Sequence, residues 1–136
     1  MDKREVIAFL NTNPVCYLAT VEGDAPHVRA LRMFKADESG ILIQISTVKG
    51  VYKELLENKK VELCFNDSSQ QMRVSGTAAF IEDQELKKQV LKARPFLQPL
   101  IDAQGYGALK VFRVANPVVT VWTMATNLEP REFFEL

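Results

Sequence analysis

The sequence has one histidine, one tryptophan and two cysteines, carries no formal net charge, and holds no apolar run long enough to cross a bilayer. Each shortage removes a class of function. With His27 as the lone histidine, and with no Gly-x-Ser-x-Gly elbow, a Ser-His-Asp or Cys-His nucleophile has nothing to build on. His27 itself sits beside a hairpin turn and reads as a surface residue. Cys16 and Cys64 lie in apolar runs without CxxC spacing, as buried free thiols of a reducing compartment do, and two ligands are too few for a metal site. Basic and acidic residues both number 17, so the overall balance calls for neither nucleic acid nor an anionic membrane. A barrel that binds single strands would need a basic groove with aromatics on its polar face. The charged start, Met1 to Glu5, precedes only a short apolar stretch and does not resemble a leader, so the expected location is the cytoplasm.

What is present is an ordinary globular composition, 47% hydrophobic and 25% charged over 136 residues, which predicts one domain, residues 1–136. Asp2 and Glu5 have capping-box spacing ahead of a helix that ends before Pro14. Val15 to Val21 reads as a strand, Glu22 to Pro26 as a hairpin turn, and His27 to Ala36 as the returning strand. After a third strand, Ile41 to Ile45, Thr47 is placed to cap a helix that buries Val51, Tyr52, Leu55 and Leu56. A fourth strand carries Val61, Leu63 and Phe65. The fifth, Gln71 to Ile81, alternates Met72, Val74, Ala78 and Phe80 against Gln71, Arg73, Ser75 and Thr77. Asp83 caps a helix with Lys87, Lys88 and Lys92 in solvent, and Pro95 breaks it before a short second one. Strands at Ala108–Val114 and Val118–Met124 follow, with a final edge strand at the tail. The expected architecture is mainly β with α+β character: six or seven antiparallel strands, closed or nearly so, with three or four peripheral helices.

Three features point to an anionic, planar ligand. The turn Ser46-Thr47-Val48-Lys49-Gly50 joins hydroxyls and a lysine to a helix N-terminus, whose free N–H groups and partial positive charge suit a phosphate. It lacks the longer glycine-rich run of a nucleotide-hydrolysing loop, and a solvated lysine on a capped helix is its plain alternative. Arg29 and Arg32 lie three apart on a strand, hence on opposite faces unless a bulge intervenes, so only one of them reaches a common site. Gln71 both donates and accepts, as the edge of a heteroaromatic ring requires. No side chain stands out as an acid or base, so the redox chemistry would come from a bound cofactor.

Three stretches, NPVCYLATVEGDAPHVRALRMF, GILIQISTVKGVYKELLENKKVELCF and QQMRVSGTAAF, resemble the pyridoxamine 5′-phosphate oxidase-like proteins, the split β-barrels that bind flavin mononucleotide (FMN). The short oxidases and nitroimidazole-reductase-like members are the nearest in kind. The resemblance implies a homodimer with FMN between subunits and hydride transfer to or from a small molecule, with NAD(P)H as a candidate donor. It places Arg29, rather than Arg32, at the FMN phosphate together with Thr47 and Lys49. Ile45 and Ser46 fall along the flavin, Gln71 at its ring, and Trp122 and Arg131 among the residues that a partner subunit would contribute. The residues that hold pyridoxine phosphate in true oxidases have no match in the chain, so oxidation of that substrate is not implied. A flavin or haem storage protein, or a deazaflavin-dependent reductase, would use the same frame.

Overall fold

The computed structural model describes residues 1–136. The chain runs α1 (Lys3–Thr12), β1 (Val15–Glu22), β2 (Ala25–Arg32), β3 (Lys35–Asp37), β4 (Gly40–Ser46), α2 (Gly50–Glu57), β5 (Lys60–Asn66), β6 (Gln70–Ile81), α3 (Gln84–Ala93), α4 (Gln98–Gln104), β7 (Leu109–Thr123) and β8 (Phe134–Glu135). Short 3₁₀ turns at Pro95–Leu97 and Tyr106–Ala108 flank α4. The eight strands form one antiparallel sheet in the order β2-β1-β5-β6-β7-β4-β3, with β8 added to β7.

The outermost strands of that order, β2 and β3, are consecutive in the chain and joined only by Met33 and Phe34. From Arg32 to Lys35 is three residue steps, at most about 11 Å, so the sheet has to curl until its edges nearly meet. The result is a split barrel whose hydrogen-bond ladder does not close. At the seam, Met33 N–H donates to the Pro14 carbonyl and the Gln44 amide to the Arg32 carbonyl.

Strand alternation decides what fills the barrel. Cys16 and Leu18, Leu63 and Phe65, Met72 and Val74, and Val119 are all buried and share one core with Val6, Phe9 and Leu10 of α1 and Leu55 of α2. The capping box at Asp2 and Glu5 fixes the start of α1, as its sequence predicts. Leu42, Leu109 and Val111 point out of the barrel into a smaller second core under Val90 of α3 and Ile101 of α4. With both faces covered there, the run Ile41-Leu42-Ile43 is apolar without alternation.

Several expectations change, among them Leu56, which is exposed on α2 rather than buried. The segment from His27 to Ala36 is two strands, split where it crosses the seam at Met33 and Phe34. The two strands expected on either side of Ala115-Asn116-Pro117 are one bent strand, β7, so with β3 and β8 counted the total is eight. The bend is a bulge: between the pairs Thr77–Ala115 and Ser75–Val118, Asn116 and Pro117 oppose Gly76 alone. Asn116 adopts φ 52°, a left-handed conformation that asparagine tolerates. Thr47 does not cap α2; that helix begins at Gly50 with Lys49 as its N-cap and no side-chain cap. Lys87 is buried rather than solvated, because its ammonium donates to Glu82 (2.9 Å) and to the Tyr106 carbonyl (3.1 Å).

Candidate functional site

The candidate residues fall into two groups. Near the start of β7, Ile45 and Ser46 end β4, with Ser46 paired to Leu109. The chain then turns: Thr47 N–H donates to the Ala108 carbonyl, and Val48 N–H to the Ser46 hydroxyl at 3.2 Å. Lys49 follows, exposed and without a carboxylate partner, at the N-terminus of α2. Backbone N–H groups of the first helical turn and a free ammonium therefore share one concave turn, as an anion requires.

Arg29 lies in β2 opposite Leu18, so its side chain takes the barrel side of the sheet, whereas Arg32, opposite Val15, takes the outer side. This is the opposition that strand spacing predicts, and no bulge intervenes. The Arg29 guanidinium donates to the Thr20 hydroxyl (2.7 Å), the Leu18 carbonyl (3.3 Å) and Glu54 Oε2 (2.7 Å). Glu54, on α2, is buried. The arginine aligned with a phosphate by resemblance thus already holds a carboxylate.

The second group stands at the other end of β7. Gln71 pairs with Asn66 on one side and Trp122 on the other. Its partner Trp122 and Ser46's partner Leu109 are separated by roughly 40 Å of strand path at about 3.3 Å per residue. Within one chain, then, Gln71 and Lys49 do not meet. Gln71, Arg73 and Ser75 also face outward, not into the barrel, since Met72 and Val74 take the core. Arg73 is held by Glu62 at 2.8 Å. Thr77 is exposed on the same side.

On this outer face Arg32 finds its place. Arg32 pairs with Val15, which lies level with Asn66, so Arg32, Val15, Asn66, Gln71 and Trp122 form one row across five strands. A hollow of about 690 Å³ opens beside Gln71 and Trp122, floored by Asn66 to Ser69 and Met124. A second, of about 330 Å³, lies on the other side of Trp122, between β7 and the tail, and is lined by Arg131, Asn127, Glu132, Phe134 and Met1. Trp122 Nε1 donates to Asn127 Oδ1 at 2.8 Å, which fixes the indole between the two hollows. From Val15 in the row, Tyr17 and Val28 continue an apolar stretch in solvent.

Arg94 was not singled out from the sequence. It follows α3, donates to the Met33 carbonyl at 3.2 Å across the seam, and leaves its buried Nε without an acceptor. Burial lowers its pKa, and the nearby positive charge of Arg32 lowers it further. Unlike Arg29 and Arg73, these two guanidiniums hold no carboxylate. Only the adjacent Pro95, which ends the helix there, hinted at the position.

The pyridoxamine 5′-phosphate oxidase family model matches residues 3–122. The chain belongs to that family. A NimC/NimA family protein from Clostridium acetobutylicum superimposes with TM-score 0.79 at 29% identity, over 98% of this chain and 92% of that one. General stress protein 26 from Bacillus anthracis (TM-score 0.69, 19% identity, all of both chains) shares the fold. So does PhzG from Burkholderia lata in complex with tetrahydrophenazine-1-carboxylic acid, with TM-score 0.69 at 13% identity over 98% of this chain and 89% of that one. No curated protein sequence matches. The split barrel inferred from the quoted stretches is thus the fold of this family, and no helix in it is long and apolar enough to cross a membrane.

Proposed function

We propose that the protein is a homodimeric FMN-binding oxidoreductase whose flavin lies between subunits. The observation that carries this reading is the separation of the two half-sites along β7. A cationic turn at one end and an amide-plus-indole row at the other cannot serve one ligand within a chain, but two copies related by a two-fold axis can set one end against the other. The exposed Val15, Tyr17 and Val28, on the same outer face as Gln71 and Trp122, supply an apolar surface for that pairing.

The residues present fit the cofactor. Lys49, the Ser46 and Thr47 hydroxyls and the first N–H groups of α2 would take the phosphate. Gln71 of the second copy would meet the ring edge, with Trp122 and Arg131 beside it. Bound flavin would supply hydride transfer, and the protein would supply position and electrostatics. Arg32 and Arg94, two guanidiniums without carboxylates beside the Gln71 row, favour a substrate that carries a negative group. NAD(P)H is the proposed donor, and two free cysteines agree with a cytoplasmic setting.

The test is the visible spectrum and light-scattering mass of purified protein loaded with FMN. A flavin band on a dimer, lost on Lys49→Ala while the fold persists, is expected. A monomer, or a dimer that takes up no flavin, refutes the reading. Bound flavin that neither NADH nor NADPH reduces, and that passes no hydride to nitro or quinone acceptors, would make it a carrier instead of an enzyme.

A further inference from the structure

We infer that Glu54 is a built-in counter-anion that withholds Arg29 from a ligand phosphate, so that the Glu54–Arg29 pair sets how strongly the site prefers a phosphorylated flavin over its dephosphorylated form. The inference rests on the flavin reading above and concerns one pair that the reading leaves unexplained.

Glu54 lies one turn into α2 from Gly50, and helical side chains lean toward the N-terminus, so its carboxylate is carried back toward the Ser46–Lys49 turn. Its side chain is only 7% exposed. Oε2 accepts from Arg29 Nη2 at 2.7 Å and from the buried Thr20 hydroxyl at 3.3 Å. Oε1 faces His27 Nδ1 at 3.6 Å, and His27 Nε2 in turn faces Glu22 at 3.6 Å. A carboxylate taken this far out of water needs the opposing charge, and Arg29 is the cation that supplies it.

Arg29 is not spent by this contact. Three of its five N–H bonds have protein acceptors, and the side chain is 28% exposed. Two N–H bonds of the guanidinium therefore remain without a protein acceptor, while its charge is already balanced. A phosphate arriving at the Lys49 turn meets an arginine whose field is cancelled by Glu54. With the carboxylate made neutral, the same guanidinium becomes an unopposed cation, and a charge-assisted hydrogen bond to phosphate becomes available. Arg29 in the native protein is thus a positioning residue that anchors α2 to β1 and β2, and Glu54 is the residue that determines phosphate preference.

The experiment titrates apo-protein with FMN and with riboflavin, following flavin fluorescence, for the wild type, Glu54→Gln and the double variant Arg29→Gln/Glu54→Gln. Glutamine keeps the shape and an acceptor for Thr20 and Arg29 while removing the charge. In Glu54→Gln the ratio of FMN to riboflavin affinity should rise at least about tenfold, and the double variant should return it to the wild-type value. A ratio in Glu54→Gln within about twofold of wild type, with only the melting temperature lowered, would show a purely structural clamp and overturn the inference. If no variant binds either flavin, the flavin reading fails separately. Inorganic phosphate then decides: Glu54→Gln should gain a phosphate-dependent rise in melting temperature larger than that of the wild type, and an equal rise overturns the inference.

Discussion

The side-chain amide of Asn11 reads Ala36 as a neighbouring strand would: it donates to the Ala36 carbonyl at 2.7 Å and accepts from the Ala36 N–H at 3.0 Å. Ala36 is the middle residue of β3, whose other edge pairs with β4, so α1 satisfies the edge that the open seam leaves bare. Asn11→Leu should leave both Ala36 groups without partners, at a cost of about 1–3 kcal/mol per unsatisfied group that water does not reach. Denaturant unfolding gives the loss, and faster hydrogen exchange at the Ala36 amide would place it at the seam.

Gly76 opposes the bulge so closely that a Cβ there would lie 2.6 Å from Val114 Cγ1 and 2.7 Å from the Ala115 carbonyl oxygen. Gly76→Ala should destabilise the fold by about 1–3 kcal/mol. Adding Val114→Ala relieves the methyl contact and leaves the carbonyl contact, so the double variant should not recover full stability beyond its own cavity cost. Urea midpoints for the four proteins of this cycle make the comparison.

Glu82 accepts from Lys110 at 2.7 Å and from the buried Lys87 at 2.9 Å. The hydrogen bonds to Lys110 and then Lys87 hold its pKa below the ordinary 4.5. A carboxylate with a depressed native pKa contributes stability that is complete above its ordinary value and vanishes as pH falls through the native one. Lys110 behaves in the opposite sense: its pKa is raised above 10.5, first by the Glu82 hydrogen bond, so its contribution is complete below 10.5 and is lost as pH rises through the native value. Glu82→Gln should therefore flatten the stability profile at both its acid and its alkaline limb. Thermal melts from pH 2 to 11 show whether it does.

Burial pushes the Cys16 thiol up to about 12, and it also raises Cys64, which is half-buried beside Arg73. Since the thiolate is the reacting species, Cys16 should resist Ellman's reagent at pH 8 in the folded protein and Cys64 should react slowly. Both should react at once in denaturant. Fast titration of two thiols in native buffer would contradict the packing of β1.

Where local rules decide, the sequence was readable: the Asp2 and Asp83 caps, the stop before Pro14 and the alternation of β6 all stand where spacing predicts them. The misreadings lie where a tertiary demand overrides a local signal. Thr47 has the right chemistry for a cap, but its N–H goes to Ala108 across the sheet, and α2 starts three residues later. Asn116-Pro117 has the composition of a turn, yet it is a bulge inside one strand, because β6 is long enough to pair on both sides of it. Lys87 looked solvated because its partners, Glu82 and the Tyr106 carbonyl, come from other segments. At the site, strand parity separated Arg29 from Arg32 correctly. The partnership of Arg29 with Glu54, and the distance between Lys49 and Gln71, depend on how β4 and β6 are laid on either side of β7, and no residue pattern states that.

The order of strands has a consequence for synthesis. β4 pairs with β3 and β7 alone, and β7 leaves the ribosome only after β5, β6, α3 and α4. Until then the apolar Ile41–Ile45 edge has no ladder on its long side, and a nascent chain halted before Leu109 exposes an adhesive strand. Fragments ending there should depend on chaperones that the finished protein does not need.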